Sequence, residues 1–167
     1  GVPHNIESEL ESLNSLPELL ERSFKKFSTK PAFHCMGKTL TYQEVDELSL
    51  KFASYLQNDL KLERGDRVAL MMPNILQYPI ALFGILRGGF VAVNVNPLYT
   101  ARELEHQLKD SGSKALIIFE NACHTLEEIL AHTDVKYVLK TSIGDMLKFP
   151  KSVVLNFAIR KIKKMVK

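Results

Sequence analysis

The chain has 167 residues, 46% hydrophobic and 25% charged, which excludes disordered, collagen-like and fibrous classes and suits one domain with a core of its own. The formal charge is +3, but the stretch from Lys148 to Lys167 holds seven basic residues and no acidic one, leaving 15 basic against 19 acidic elsewhere, or −4. The basicity belongs to one C-terminal stretch, which argues against a nucleic-acid-binding domain.

In chain order, residues 1–14 are polar and expected to be loose. Ser15-Leu-Pro-Glu18 is a capping box with Pro in the first turn. It predicts a helix to about Phe27 with Leu16, Leu19, Leu20, Phe24 and Phe27 on one face. Pro31–Met36 and Thr39–Tyr42, joined by Gly37-Lys38, predict a β-hairpin. Thr41 and Glu44 form a second capping box, opening a helix to about Asn58. A buried strand at 67–72 follows, then a helix capped by Asn74 and stopped by Gly88-Gly89. A strand at 90–95 leads to Asn96-Pro97. Thr100 and Glu103 open a helix to Asp110, closed by Ser111-Gly112. A strand at 115–119, a helix at 122–131 and a strand at 135–139 complete the alternation. Continuous apolar strands alternating with helices predict an α/β fold: a doubly wound, mostly parallel sheet with flanking helices and a small N-terminal hairpin.

The expected division is a loose segment at 1–14, an α/β subdomain at 15–150 and a basic amphipathic helix at 151–167. In that helix Leu155, Ala158, Ile159, Ile162 and Val166 share one face. Asn156, Arg160, Lys163, Lys164 and Lys167 lie opposite, with Lys161 at the border. Such a helix suits an anionic membrane surface, where basic residues contribute about 1 kcal/mol each. The competing reading packs its apolar face on further protein. Its one aromatic, Phe157, makes no stacking platform for nucleic acid. The chain begins with Gly and ends inside this predicted helix, which predicts a longer parent. The N-terminus resembles neither a signal nor a transit peptide. Ile75–Val95, the most apolar stretch, is interrupted by Gln77, Pro79, Arg87, Gly88 and Gly89 and reads as helix plus strand, not a membrane span.

Catalytic signatures are sparse. GxGxxG, GxxxxGK[ST] and GxSxG are absent from the sequence. Gly84, Gly88 and Gly89 fall inside and at the end of a predicted helix, where close packing and a C-cap explain them. His124, Glu128 and His132 recur every four residues, either as a candidate metal stripe lacking a further ligand or as a solvated helix face. His106 reads as a helix-surface residue or a satisfied hydrogen-bonding one. Cys35 and Cys123 lack CxxC or Cys/His spacing, which points to inert thiols and a reducing, cytoplasmic address. Glu127 and Glu128 face different sides of a helix and make a poor acid–base pair.

Two stretches resemble a known superfamily. Leu40-Thr-Tyr-Gln-Glu-Val45 resembles the first core motif of adenylate-forming enzymes, the superfamily of acyl-CoA synthetases, luciferases and peptide-synthetase adenylation domains. Leu86-Arg-Gly-Gly-Phe-Val-Ala-Val-Asn-Val-Asn-Pro97 resembles the second, and the sequence continues in register to Gly112. More narrowly, Gly65–Asn74, Gln77-Tyr-Pro79 and Asn94–Thr100 resemble proteobacterial-type long-chain fatty-acid–CoA ligases, and the similarity spans about Ser15 to Lys167. The resemblance implies a parent enzyme that uses ATP and Mg²⁺ to form an acyl-adenylate from a long-chain fatty acid, then transfers the acyl group to coenzyme A. It also implies a cytoplasmic, peripherally membrane-associated protein, homodimeric in some members. The family's phosphate loop, magnesium-binding Glu, ribose-binding Asp and catalytic Lys match no residue here. No catalytic, cofactor-binding or metal residue is therefore assigned, and this stretch alone is expected to be inactive and to hold no cofactor. The alternatives are a membrane-surface interaction module and a ligase for a different carboxylic acid.

Overall fold

The computed structural model describes residues 16–35 and 37–141, and 158–161 as backbone. The expected loose segment 1–14, Ser15 of the first capping box, and most of the 151–167 stretch lie outside the described residues.

Helix α1 (Leu16–Lys26) buries Phe24, while Leu16 and Leu19 stay exposed. Strands β1 (Pro31–Cys35) and β2 (Lys38–Thr41) pair antiparallel, with His34 opposite Thr39, and Gly37 supplies φ +77° at the turn. Thr41 caps α2 (Tyr42–Ser54) as its sequence predicts. Its hydroxyl accepts the Glu44 N–H at 3.2 Å, and the Glu44 carboxylate accepts the Thr41 N–H at 3.4 Å. The helix runs on through a wider turn at Tyr55–Asp59.

The main sheet contains β3 (Arg67–Met71), β4 (Val91–Asn94), β5 (Ala115–Phe119) and β6 (Tyr137–Thr141), all parallel, in the order β4-β3-β5-β6. A fifth strand, β7 (Ala158–Lys161), pairs antiparallel on the outside of β6. Helices α3 (Gln77–Arg87), α4 (Ala101–Ser111) and α5 (Cys123–Glu127) connect the parallel strands. Because strand side chains alternate, each strand feeds two cores. Val68, Leu70 and Ile117 pack with Phe52 of α2, Leu56 of the wider turn after it, and Ala81 and Ile85 of α3. Ala69, Met71, Leu116 and Ile118 pack with Leu104, Leu108 and Leu126 of α4 and α5. β5 is buried at every position. Each fully buried aliphatic side chain stabilises by roughly 1.5–3 kcal/mol. A third cluster, with Phe24, Leu40, Val45, Leu48, Leu76 and Ile80, seals the hairpin and α1 onto α2 and α3.

Three elements differ from the sequence reading. Asn74 does not cap α3, which begins at Gln77 with Leu76 at the cap position. Pro79 then falls in the first turn, where its missing N–H is not needed; a start at Asn74 would have required that donor. The predicted helix 122–131 is broken. A 3₁₀ turn at Glu120–Ala122, the short α5 and another 3₁₀ turn at Leu130–His132 replace it. The Ile129 N–H donates to the Leu126 C=O at 3.1 Å, a 3₁₀-type bond, and Leu126 and Ile129 are both buried. Within the predicted basic helix 151–167, Ala158–Lys161 is a strand. Leu155, Phe157 and Ile159 carry a period of two as well as a helical one. The open edge of β6 supplies unpaired backbone groups that only a strand satisfies.

Candidate functional site

β4 and β5 lie on opposite sides of β3, so the winding reverses between β3 and β5. In such sheets ligands bind outside the carboxyl ends of the strands at that reversal. This rim is formed by Met72 and Asn74 after β3, by Phe119 ending β5 and by the first turn of α3. Gln77, fully buried, places its Nε2 3.5 Å from the Thr141 hydroxyl at the end of β6. Beside the rim, a groove of about 360 Å³ runs between β1 and α3, lined chiefly by Phe33, Cys35, Ile75, Pro79 and Leu82. Two of its polar neighbours are engaged: His34 Nδ1 lies 2.7 Å from the Thr39 hydroxyl, and the Tyr78 hydroxyl donates to Asn94 Oδ1. Among the described residues no hydrogen bond joins Cys35 to a base, so the groove is built for apolar contact, not nucleophilic chemistry.

The glycine cluster shapes the layer behind this rim. A Cβ at Gly84 would stand 2.6 Å from Phe52 Cδ1 and 3.0 Å from the Ser49 carbonyl oxygen, so glycine alone lets α2 and α3 meet this closely. Gly88 ends α3 by donating its N–H to the Gly84 carbonyl at 2.9 Å, and Gly89 turns the chain into β4 at φ +84°.

Arg87 ties this layer together. Its side chain is 4% exposed. The guanidinium lies 2.7 Å from Asp46 Oδ1, donates to the Asp46 carbonyl and the Ser49 hydroxyl, sits 3.7 Å from Glu21 and covers the Phe24 ring at 5.2 Å. One arginine thereby joins α1, α2 and α3, using the planar fork that suits such sites. Sequence reasoning assigned Arg87 no role; the signal was its position as the only charged residue between Ile75 and Val95.

The His124, Glu128 and His132 stripe does not assemble, because α5 ends at Glu127. His132 instead lies 3.3 Å from Glu105 of α4. The Lys109 ammonium, hydrogen-bonded to Glu105 at 2.8 Å, holds that carboxyl below its usual range, aided by the charge of His132. Burial pushes the Tyr55 phenol up, with Asp59 and Tyr137 adding to it. His106 is exposed on α4. Cys35 and Cys123 are half-buried and are not joined in a disulfide. Among the described residues no three His, Cys, Asp or Glu side chains stand together to hold a metal ion.

The fold and rim thus define a doubly wound α/β unit that presents a binding edge and supplies structure to it. The chain belongs to the AMP-binding enzyme family, whose family model matches residues 20–165. It is 51% identical over 166 residues to a long-chain-fatty-acid–CoA ligase of Salmonella typhimurium, covering 98% of this chain and 30% of that one. It is 52% identical over 152 residues to the Haemophilus influenzae ligase of the same description, covering 91% of this chain and 27% of that one. In fold it is similar to the crystal structure of a long-chain-fatty-acid–CoA ligase from Archaeoglobus fulgidus, with TM-score 0.70 and 23% identity over 86% of this chain and 30% of that one. The chain therefore spans less than a third of the length of the relatives it matches.

Proposed function

We propose that this chain is the N-terminal part of a long-chain fatty-acid–CoA ligase. That enzyme joins a long-chain fatty acid to coenzyme A, using ATP and Mg²⁺ and passing through an acyl-adenylate. The observation that carries this reading is about 50% identity to ligases of that description over 98% of the chain. The same reading makes the parent a cytoplasmic, peripherally membrane-associated protein able to form homodimers. Among the described residues no helix is long and apolar enough to cross a membrane.

The described residues do not fit the nucleotide or the metal. The glycines are consumed by helix packing and turns, not by a phosphate loop, and no carboxylate cluster is available for Mg²⁺ among them. No chemical step is therefore assigned to this chain's side chains. Its contribution is a rigid layer: α2 and α3 locked through Gly84 and Arg87, with the strand carboxyl ends held in register for the remainder of the enzyme.

ATP–pyrophosphate exchange with palmitate tests the assignment. The parent protein is expected to show palmitate-dependent exchange, and the 167-residue chain alone none above the blank. Exchange by the isolated chain would place the adenylating groups within it. Exchange by the parent that responds only to a short-chain or aryl acid would move the enzyme to another substrate class. No specific observation favours lipid docking by a C-terminal helix, since Ala158–Lys161 is paired along β6.

A further inference from the structure

The end of the sheet away from the rim carries a second feature. A small polar pocket of about 170 Å³ opens at the amino ends of β5 and β6, lined by Lys61, Glu63, Asp66, Lys114, Lys136 and Tyr137. Lys114 and Lys136 each precede the first residue of a strand. The Lys136 N–H donates to the Lys114 carbonyl at 2.7 Å, and the Lys114 N–H to the Arg67 carbonyl at 2.8 Å. The two side-chain stems therefore start on adjacent strands, about 5 Å apart across the sheet.

Lys61 arrives from the other direction. Leu60, on one side of it, is buried in the core, and Leu62 on the other side packs against it. Lys61 itself has φ +53°, the one non-glycine residue with positive φ among those described. That conformation costs an L-residue roughly 1–2 kcal/mol, and glycine would take it freely. A lysine stands there despite the strain.

None of these three ammonium groups has an ion-pair partner among the described residues, although two carboxylates share the pocket. Asp66 is occupied in accepting the Glu63 N–H at 2.9 Å. Charges from three separate parts of the sequence thus meet in one pocket at this end of the sheet.

We propose that this pocket is a binding site for a phosphate-bearing anion, held by Lys61, Lys114 and Lys136. Lysine ammonium groups bind phosphate as point charges and keep it hydrated, as an open polar pocket requires. The volume is well below that of sites for drug-sized ligands, which start near 300 Å³. It accommodates a phosphate or pyrophosphate group, or the phosphate of a lipid headgroup. The site lies at the opposite end of the strands from the rim and is independent of the ligase assignment.

The test is a titration of the ¹⁵N-labelled chain with inorganic phosphate and pyrophosphate at constant ionic strength, following amide shifts. A parallel arm measures sedimentation with phosphatidylcholine vesicles, with and without phosphatidic acid. Saturable shifts centred on Lys61, Lys114, Lys136 and Tyr137 are expected. Each of Lys61→Gln, Lys114→Gln and Lys136→Gln should weaken binding about fivefold, the factor that corresponds to roughly 1 kcal/mol per lysine. Lys51→Gln, equal in charge change but on α2, should leave binding unchanged. Binding to phosphatidic-acid vesicles alone, lost in the triple Gln variant, supports the site and identifies a headgroup as its source. Shifts that do not saturate, binding that survives the triple variant, or equal weakening by Lys51→Gln would overturn the proposal.

Discussion

Phe52→Ala is expected to cost about 3–5 kcal/mol of unfolding free energy, the range for deleting a buried aromatic ring. Phe52 is fully buried, at the junction of α2, α3 and the sheet core, and stacks on Tyr55 at 6.5 Å. For a domain of this size the loss lowers the melting temperature on the order of 10 °C. Urea denaturation followed by circular dichroism measures it. Gly84→Ala approaches the same contact from the other helix. The added methyl gains about 1 kcal/mol of helix propensity. It also meets Phe52 Cδ1 at 2.6 Å and the Ser49 carbonyl at 3.0 Å. That overpacking costs about 1–3 kcal/mol. The net effect is destabilising by about 1 kcal/mol. In the double variant the methyl enters the space the ring leaves, so the two losses fall short of adding. Strict additivity would show that α2 and α3 do not meet there.

Arg87→Ala is the second large effect, about 3 kcal/mol. This is the low end of the range for breaking a buried pair, because Asp46 is 30% and Glu21 54% exposed and solvent recovers part of their charge. The variant removes the Asp46 and Ser49 hydrogen bonds and the Phe24 ring contact together. Arg87→Lys keeps the charge but loses the fork, and recovers less than half of the loss. A double-mutant cycle with Asp46→Asn is expected to give a coupling of at least about 1 kcal/mol. Zero coupling would mean that packing alone accounts for the arginine. The parent enzyme should lose stability with Arg87→Ala while retaining its KM for palmitate, because Arg87 joins helices and does not line the rim groove.

The rim and the amino-end pocket could not be read from the sequence, and the reason is geometric. Gln77 and Thr141 are 64 residues apart, and only the parallel pairing of β5 and β6 brings the end of β6 to the first turn of α3. Lys61, Lys114 and Lys136 are ordinary solvated lysines when taken one at a time. Two strand starts and the turn at Lys61 collect them. Arg87 showed in the sequence as a lone charge in an apolar run, but its partners Glu21 and Asp46 come from two other helices. Signals of that kind depend on long-range contacts that no local window contains.

What the sequence determined by itself was everything set by local chemistry. The Thr41 and Thr100 capping boxes start α2 and α4, because a hydroxyl and a carboxylate three residues apart satisfy each other's backbone donors. Gly112 ends α4 in the left-handed conformation, and the four apolar runs, alternating with helices, become parallel strands. The core motifs carried the family. Tertiary structure decided the elements whose local preferences were divided. Residues 122–131 could be one helix, but in the fold α5 ends at Glu127 and 3₁₀ turns flank it. Residues 158–161 could be helix or strand, and the open backbone groups of β6 select the strand. Where periodicities compete, hydrogen-bond satisfaction and burial supplied by distant residues outweigh a propensity difference of a few tenths of a kcal/mol per residue.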